Sequence, residues 1–408
     1  MTSLEEALAC YPRHLSPLPP ENIATTAALD RVLATDVHAA VDLPRFDQSA
    51  MDGYAFAAAD SAAASPERPC RLPVVHHVAA RAHDHLPALP VGGAARILTG
   101  APLPPRADTV LPQELATLDD DVLVVSAPSA VDRNVRRRGE ELRAGSRIAL
   151  AHTRIRPGAL ASLVNADVEQ VSVHRRPRIR LLVSGDEVRP AGTPLRHGQI
   201  HDSNGPLVCA VLQRWGYPAP AVQYVGDTTA AVHDALAPAL DDADLVLTCG
   251  GASVGDHDYL PLVAEQLGVR RVFWKVAQKP GKPLYFGVRD GARGRSAVLA
   301  MPGNPGAVLI SLCLHLRAIL DCMESAALPG ARWHRAHPVE PIERDPRRAR
   351  LLRLRLDFDA GGCARVHSLP LQDSHMLSNL AAADVLCWVP PGDTPLQPAE
   401  TLHWTYLP

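Results

Sequence analysis

Leu245-Val246-Leu247-Thr248-Cys249-Gly250-Gly251-Ala252-Ser253-Val254-Gly255-Asp256-His257-Asp258 decides the fold. Leu245 to Thr248 reads as a strand buried on both faces, and a glycine-rich loop ending in acids follows it. The same pattern recurs on either side. Ile179 to Val183 opens into Ser184-Gly185-Asp186-Glu187, and Val272 to Trp274 leads to Lys275 and then Gln278-Lys279-Pro280-Gly281-Lys282-Pro283. Ala297 to Met301 leads to Pro302-Gly303-Asn304-Pro305-Gly306. Between these runs lie a strand, Val222 to Val225, and helical stretches: Asn204 to Trp215, Thr228 to Leu240 with threonines at its start, and the apolar Ala307 to Leu320. Such alternation predicts a doubly wound α/β domain with a mostly parallel sheet covered by helices on both faces. Ligands bind such sheets at the carboxyl ends of the strands, so all four loops are expected at one edge.

Outward from this core the pattern changes. In residues 1–36, Ser3-Leu4-Glu5-Glu6 resembles a helix cap and Thr25 to Ala34 is helical in composition, with a proline-rich connector from Tyr11 to Glu21. Leu72 to Val78, Ala95 to Leu98, Thr109 to Leu111 and Val122 to Ser126 predict a small β module, and Ala149 to Ala166 a helix with Pro157 near its start. After Pro329, Leu352 to Asp359 alternates with period two, which places Arg353 and Arg355 on one side of a half-buried strand. Val385 to Val389 and Leu402 to Tyr406 continue a second β module.

With 408 residues the chain holds two to four domains. Its 47% apolar and 21% charged residues and formal net charge of −3 are those of a soluble globular protein, and they disfavour a nucleic-acid binder, which needs a positive field. No apolar run approaches the ~20 residues of a membrane span, and the N-terminus carries acid where a signal peptide carries base, so a cytoplasmic protein is expected. Eight cysteines without a C-x-x-C motif read as buried thiols.

Of 41 basic residues only three are lysines, Lys275, Lys279 and Lys282, all within eight positions. A chain that otherwise uses arginine keeps a compact, strongly hydrated ammonium here, and lysine binds phosphate as a point charge. Gly250, Gly251, Ser253, Gly255 and the Pro302 to Gly306 turn suit an oxyanion, because glycines let backbone N–H groups approach it. Asp186, Glu187, Asp256 and Asp258 add carboxylates to the same rim, and acids beside phosphates commonly hold Mg²⁺ with them. Gly251 to Gly255 also matches the G-x-S-x-G elbow of serine hydrolases, but Asp256-His257-Asp258-Tyr259 and Pro261 stand where a helix must begin at once. The elbow leaves the lysines unexplained. His76, His77, His83 and His85 read as surface histidines, and Arg136-Arg137-Arg138 and Arg347-Arg348 as solvated faces.

Eight segments in order resemble the molybdopterin molybdenumtransferase family of MoeA and the gephyrin E-domain, over almost the whole chain. They are Phe46 to Ala55, Leu98 to Pro104, Gly139 to Leu142, Ser184 to Glu187, Gly198 to Asn204, Thr248 to Tyr259, Lys279 to Pro283 and Met301 to Pro305. The resemblance implies Mg²⁺-dependent insertion of molybdate into adenylylated molybdopterin with release of AMP. It also implies a homodimer, its cleft between the α/β domain of one subunit and the C-terminal β domain of the other, and transient contact with molybdopterin adenylyltransferase, with no nucleic-acid or membrane partner. The implied organisation is an elongated, discontinuous dimerisation region (1–42 and 140–176), an inserted β module (43–139), the α/β molybdopterin-binding domain (177–327) and a C-terminal β-barrel-like domain (328–408). Lys275, Lys279 and Lys282 carry over as catalytic residues, with Glu187, Asp227 and Asp258 as metal ligands that promote phosphoanhydride cleavage. Glu141 is a further metal position, and Asp52 and Thr99 are motif residues. Gly250, Gly251, Ser253, Gly255, Asp256, Pro280, Pro283, Pro302, Asn304, Arg353, Arg355 and Ser374 carry over as substrate-binding residues. Three positions depart from the family pattern: Glu141 for Asp, Gln48 for Asn, and Gly306-Ala307 for Val-Ser. The Glu141 and Gly306-Ala307 departures leave a tungstate-preferring enzyme or a weakly active binding or scaffolding paralogue as alternatives, while the Gln48 change is mild.

Overall fold

Six strands form the central sheet of the computed structural model, which describes residues 1–251 and 259–408. Their order is Val222–Val225, Ile179–Ser184, Leu245–Cys249, Gly294–Met301, Tyr285–Gly291 and Arg270–Trp274. The first three pairings are parallel, and Tyr285–Gly291 runs antiparallel to both its neighbours. Five strands therefore share one direction. The loops after Ser184, Cys249, Trp274 and Met301 all leave the same edge, as the alternation predicts. Leu245–Cys249 is buried along its whole length, as a central strand covered on both faces must be. Helix Thr229–Asp242 starts where Thr228 accepts a hydrogen bond from the Ala231 N–H.

The apolar helix runs from Pro305 to Met323 through a π-helical turn at Leu312–Leu316. By length and composition, with a mean hydropathy of 1.7, it could cross a membrane, contrary to the expectation that no such run exists. Its window is 94% buried within the chain, so it is the helix around which the core packs.

At the N-terminus, Ser3 and Glu6 form a reciprocal capping box on helix Leu4–His14. Leu4, Ala7, Tyr11 and Leu15 join the same core as Leu247, Phe286 and Leu316. The helix expected from Thr25 to Ala34 does not form beyond one turn at Thr25–Ala27. Pro20–Ala24 is instead a strand paired with Gln170–His174, and Leu33 bridges to Val173, so tertiary pairing overrides local propensity. The expected helix Ala149 to Ala166 is shortened to Pro157–Asn165, because Arg147–Ala149 pairs with Val37–His38 and Pro157 sets the helix start.

The first β module has six strands, including Gly53–Phe56, which the sequence did not mark. A Cβ on Gly53 would lie 2.1 Å from the Leu111 carbonyl oxygen, so only glycine fits there. In the C-terminal region, Ala349–Phe358, Ala364–His367, His334–Pro338, Leu402–Tyr406 and Val385–Val389 close on one another as a five-stranded barrel. Of the eight thiols, Cys249, Cys313 and Cys387 are buried, four are half-buried and Cys363 is exposed, so burial explains only some of them.

Candidate active site at the carboxyl edge of the sheet

The strands Ile179–Ser184, Leu245–Cys249 and Gly294–Met301 end at a cavity of about 550 Å³. It lies at the switch point of the parallel sheet, since the chain leaves Ile179–Ser184 for one neighbour and returns on its other side. Gly250 and Gly251 floor it with φ of +90° and +70°, and a Cβ on Gly250 would lie 2.8 Å from the Ser184 carbonyl oxygen. Both conformation and closeness demand glycine.

Glu187 and Asp227 line the cavity, and neither forms an ion pair among the described residues. The Asp186 N–H donates to Asp227 Oδ2 at 3.1 Å and the Asp227 N–H to Asp186 Oδ1 at 3.3 Å, which ties the two loops together. Asp202, 5% exposed, accepts from the N–H groups of Asn204 and Gly205, each at 2.9 Å, and from the Tyr224 hydroxyl at 3.1 Å. Asn204 donates from Nδ2 to the Gly303 carbonyl at 2.7 Å, while its buried Oδ1 has no partner. Asp202 and Asn204 line the cavity, and the sequence marks them only as part of the Gly198 to Asn204 motif. Their signal was an Asp-Ser-Asn turn opening a helix.

Asn304 Nδ2 donates to Ser374 Oγ at 2.8 Å, and the Gly306 N–H to the Ser374 carbonyl at 2.8 Å. His375 and Leu377 of the same segment line the cavity. This wall comes from the same chain, whereas the resemblance implied the C-terminal domain of a second subunit. The alternating strand puts Arg353 and Arg355 on one side, yet the structure buries the first and exposes the second. Arg353, 1% exposed, donates to the carbonyls of Met376, Leu371 and Asp373 at 2.6, 3.0 and 3.2 Å. Burial lowers its pKa, and its donors are committed to the 371–376 segment rather than facing an anion.

The lysine loop leaves the same sheet edge without lining the cavity. Lys279 and Lys282 are exposed and make no ion pair among the described residues; Lys275, at φ +72°, holds its Nζ 4.7 Å from the centre of the Trp274 ring. Pro280 and Pro283 belong to this loop, and Pro302 is buried beneath the Asn304 turn. Asp52 and Thr99 pair with each other in the β module: the Thr99 N–H and hydroxyl both reach Asp52 Oδ1 at 2.7 Å and hold the carboxyl below its usual pKa. Neither lines the cavity, nor does exposed Glu141, so one chain does not bring Glu141 to Glu187 and Asp227. Ser253, Gly255, Asp256 and Asp258, and with them the G-x-S-x-G reading, lie outside the described residues. Among the described residues no three His, Cys, Asp or Glu side chains gather as a metal cluster. A second cavity of about 550 Å³ involves Arg154, Arg214, Arg317 and Arg332, but it touches none of the post-strand loops, and Arg154 and Arg317 are committed to Asp321.

An α/β sheet that presents glycine turns, carboxylates and a lysine loop at its carboxyl edge, joined to a closed barrel, defines a multidomain α/β protein with a cleft at the switch point of its sheet. Residues 2–167 match the MoeA N-terminal region, domains I and II; residues 180–321 match a probable molybdopterin binding domain; and residues 338–407 match the MoeA C-terminal region, domain IV. The chain is 37% identical over 308 residues to molybdopterin molybdenumtransferase of Synechococcus elongatus, covering 74% of this chain and 75% of that one. It is 32% identical over 397 residues to molybdopterin molybdenumtransferase 2 of Mycobacterium tuberculosis, covering 96% of each. Two solved structures of the molybdopterin biosynthesis MoeA protein from Pyrococcus horikoshii superpose over 100% of this chain and 99% and 100% of theirs, each with a TM-score of 0.81, at 26% and 23% identity. The chain belongs to the molybdopterin molybdenumtransferase (MoeA) family.

Proposed function

We propose that this chain acts in molybdenum cofactor biosynthesis as a transferase that inserts molybdate into adenylylated molybdopterin, cleaving the phosphoanhydride and releasing AMP. The observation that carries the reading is the pair of exposed ammonium groups, Lys279 and Lys282, which make no ion pair among the described residues and stand at the same sheet edge as the Glu187 and Asp227 cavity. In a chain whose basic residues are 38 arginines and three lysines, these lysines supply compact positive charge where molybdate and phosphate must lie together. Gly250 and Gly251, with Ser253, Gly255 and Asp256 following, hold the phosphate end of the pterin, and the Pro302 to Asn304 turn with Ser374 closes over it. Arg355, exposed, serves as an outer anion contact, and Arg353 acts by holding the Ser374 segment.

Glu187 and Asp227 fit a bound Mg²⁺, because this ion is commonly held by one or two carboxylates together with substrate phosphates. When bound it supplies neutralising charge on the phosphoanhydride. Asp258 joins this set by its place in the motif. The same reading makes the protein a cytoplasmic homodimer, keeps Asp52, Thr99 and Glu141 as motif residues of the family, and has the adenylylated pterin arrive from molybdopterin adenylyltransferase. The four-part division at 1–42 with 140–176, 43–139, 177–327 and 328–408 is part of the same reading.

Neither the scaffolding nor the tungstate alternative is favoured, since the relatives bear the transferase name. The test is AMP release by the purified chain supplied with adenylylated molybdopterin. Release is expected only with molybdate, to stop in EDTA, and to return with added Mg²⁺. Pterin binding without AMP release under any oxyanion overturns the reading.

A further inference from the structure

The lysine loop is tied to the far side of the core by three buried polar side chains. Gln278 is 0% exposed, and its Nε2 donates to the Gly281 carbonyl at 3.2 Å, closing the turn that carries Lys279 and Lys282. With its nitrogen used there, Gln278 turns Oε1 toward His315 Nε2, 2.9 Å away, so that ring nitrogen carries the proton. His315 Nδ1 is then the acceptor for the Tyr11 hydroxyl at 2.7 Å. The three hydrogen bonds run in one direction, from the N-terminal helix to the loop. His315 is 0% exposed and burial pushes its pKa down to about 3, so the ring is neutral and the direction is fixed near neutral pH. It sits in the π-helical turn Leu312–Leu316, a distortion frequently found at functional sites. The loop is also held through the main chain: Thr2 exchanges hydrogen bonds with Lys275 and Ala277, and Gln278–Lys279 pairs with Ala349–Arg350 of the barrel.

Burying polar groups costs free energy unless each is satisfied, and a satisfied network specifies one arrangement where an apolar core would accept several. We infer that Tyr11, His315 and Gln278 are positioning residues that set where the Lys279 and Lys282 ammonium groups stand relative to the oxyanion. This rests on the proposal that those lysines neutralise molybdate and phosphate. A displacement of about 1 Å in such a group can cost about a hundredfold in rate, so the relay acts on the chemical step more than on pterin binding.

Because the chain has only three lysines, [ε-¹³C]lysine labelling gives three side-chain signals that report this loop alone. Lys279→Arg and Lys282→Arg assign them. The variants are Gln278→Met, close in size but without the amide, and Tyr11→Phe, which keeps the ring packed edge-on against Phe286. The expected result is that the Lys279 and Lys282 signals move or broaden in both variants. Single-turnover AMP release should fall tenfold or more in Gln278→Met and severalfold in Tyr11→Phe, with the pterin KM little changed. Unmoved lysine signals in a folded variant overturn the inference even if the rate falls, because a loss of stability alone would slow release without moving them. Moved signals with an unchanged rate overturn it too. If Gln278→Met does not fold, Tyr11→Phe decides. If wild type releases no AMP, the transferase reading fails separately, and the lysine spectra alone decide whether the relay places the loop.

Discussion

Arg353 and Gly306 show how single residues shape the cleft. Arg353 gathers three carbonyls of the 371–376 segment, and Gly306 lets that segment come close. A Cβ on Gly306 would lie 2.8 Å from both Arg353 Nη1 and the Ser374 carbonyl oxygen. The close approach of the 371–376 segment therefore leaves no room for a side chain at this position. Gly306→Val, the residue the family resemblance implies here, is expected to lower stability by about 1–3 kcal/mol through overpacking, measured by urea denaturation. Unchanged stability would show that the segment relaxes freely. Alternation in Leu352 to Asp359 made the strand legible and put both arginines on one side. It carried no sign that a segment twenty residues later folds over one of them and not the other.

Strand Leu245–Cys249 begins beside Asp244, whose carboxylate is gripped by Arg175 and Arg178. Burial alone would raise its pKa, but the hydrogen bonds and charge of the two arginines outweigh that and bring it down to about 2 from 3.8. The folded value is depressed, so the stabilisation is present above about pH 4 and lost as pH falls toward 2. That gap corresponds to about 2 kcal/mol. Asp244→Asn should be less stable than wild type above pH 4 and converge on it near pH 2 in denaturant titrations; a constant difference across that range would contradict the pairing. The strands of this sheet were readable where an apolar run meets a turn, which is why all four post-strand loops were placed at one edge. Tyr285–Gly291 is not legible in the sequence because it lies between the proline-rich lysine loop and a polar turn. Thr25 to Ala34 misled because its helical composition is overruled by pairing with a segment some 140 residues away.

Over the whole molecule, distant parts of the chain converge on one edge of the α/β sheet. The N-terminal helix braces the lysine loop, the apolar helix Pro305–Met323 forms the core beneath it, and the barrel supplies the Ser374 to Leu377 wall. The lysines were legible because arginine usage made them conspicuous. The relay behind them was not, since Tyr11, Gln278 and His315 come together only in the folded chain. The central claim is that ammonium charge at this edge drives exchange of AMP for molybdenum. Its most direct test is single-turnover release of AMP from adenylylated molybdopterin, with and without molybdate, by wild type and Lys279→Arg. The account predicts molybdate-dependent release in wild type that falls at least a hundredfold in the variant, while the pterin still binds. Equal release by the two proteins, or release independent of molybdate, would contradict it.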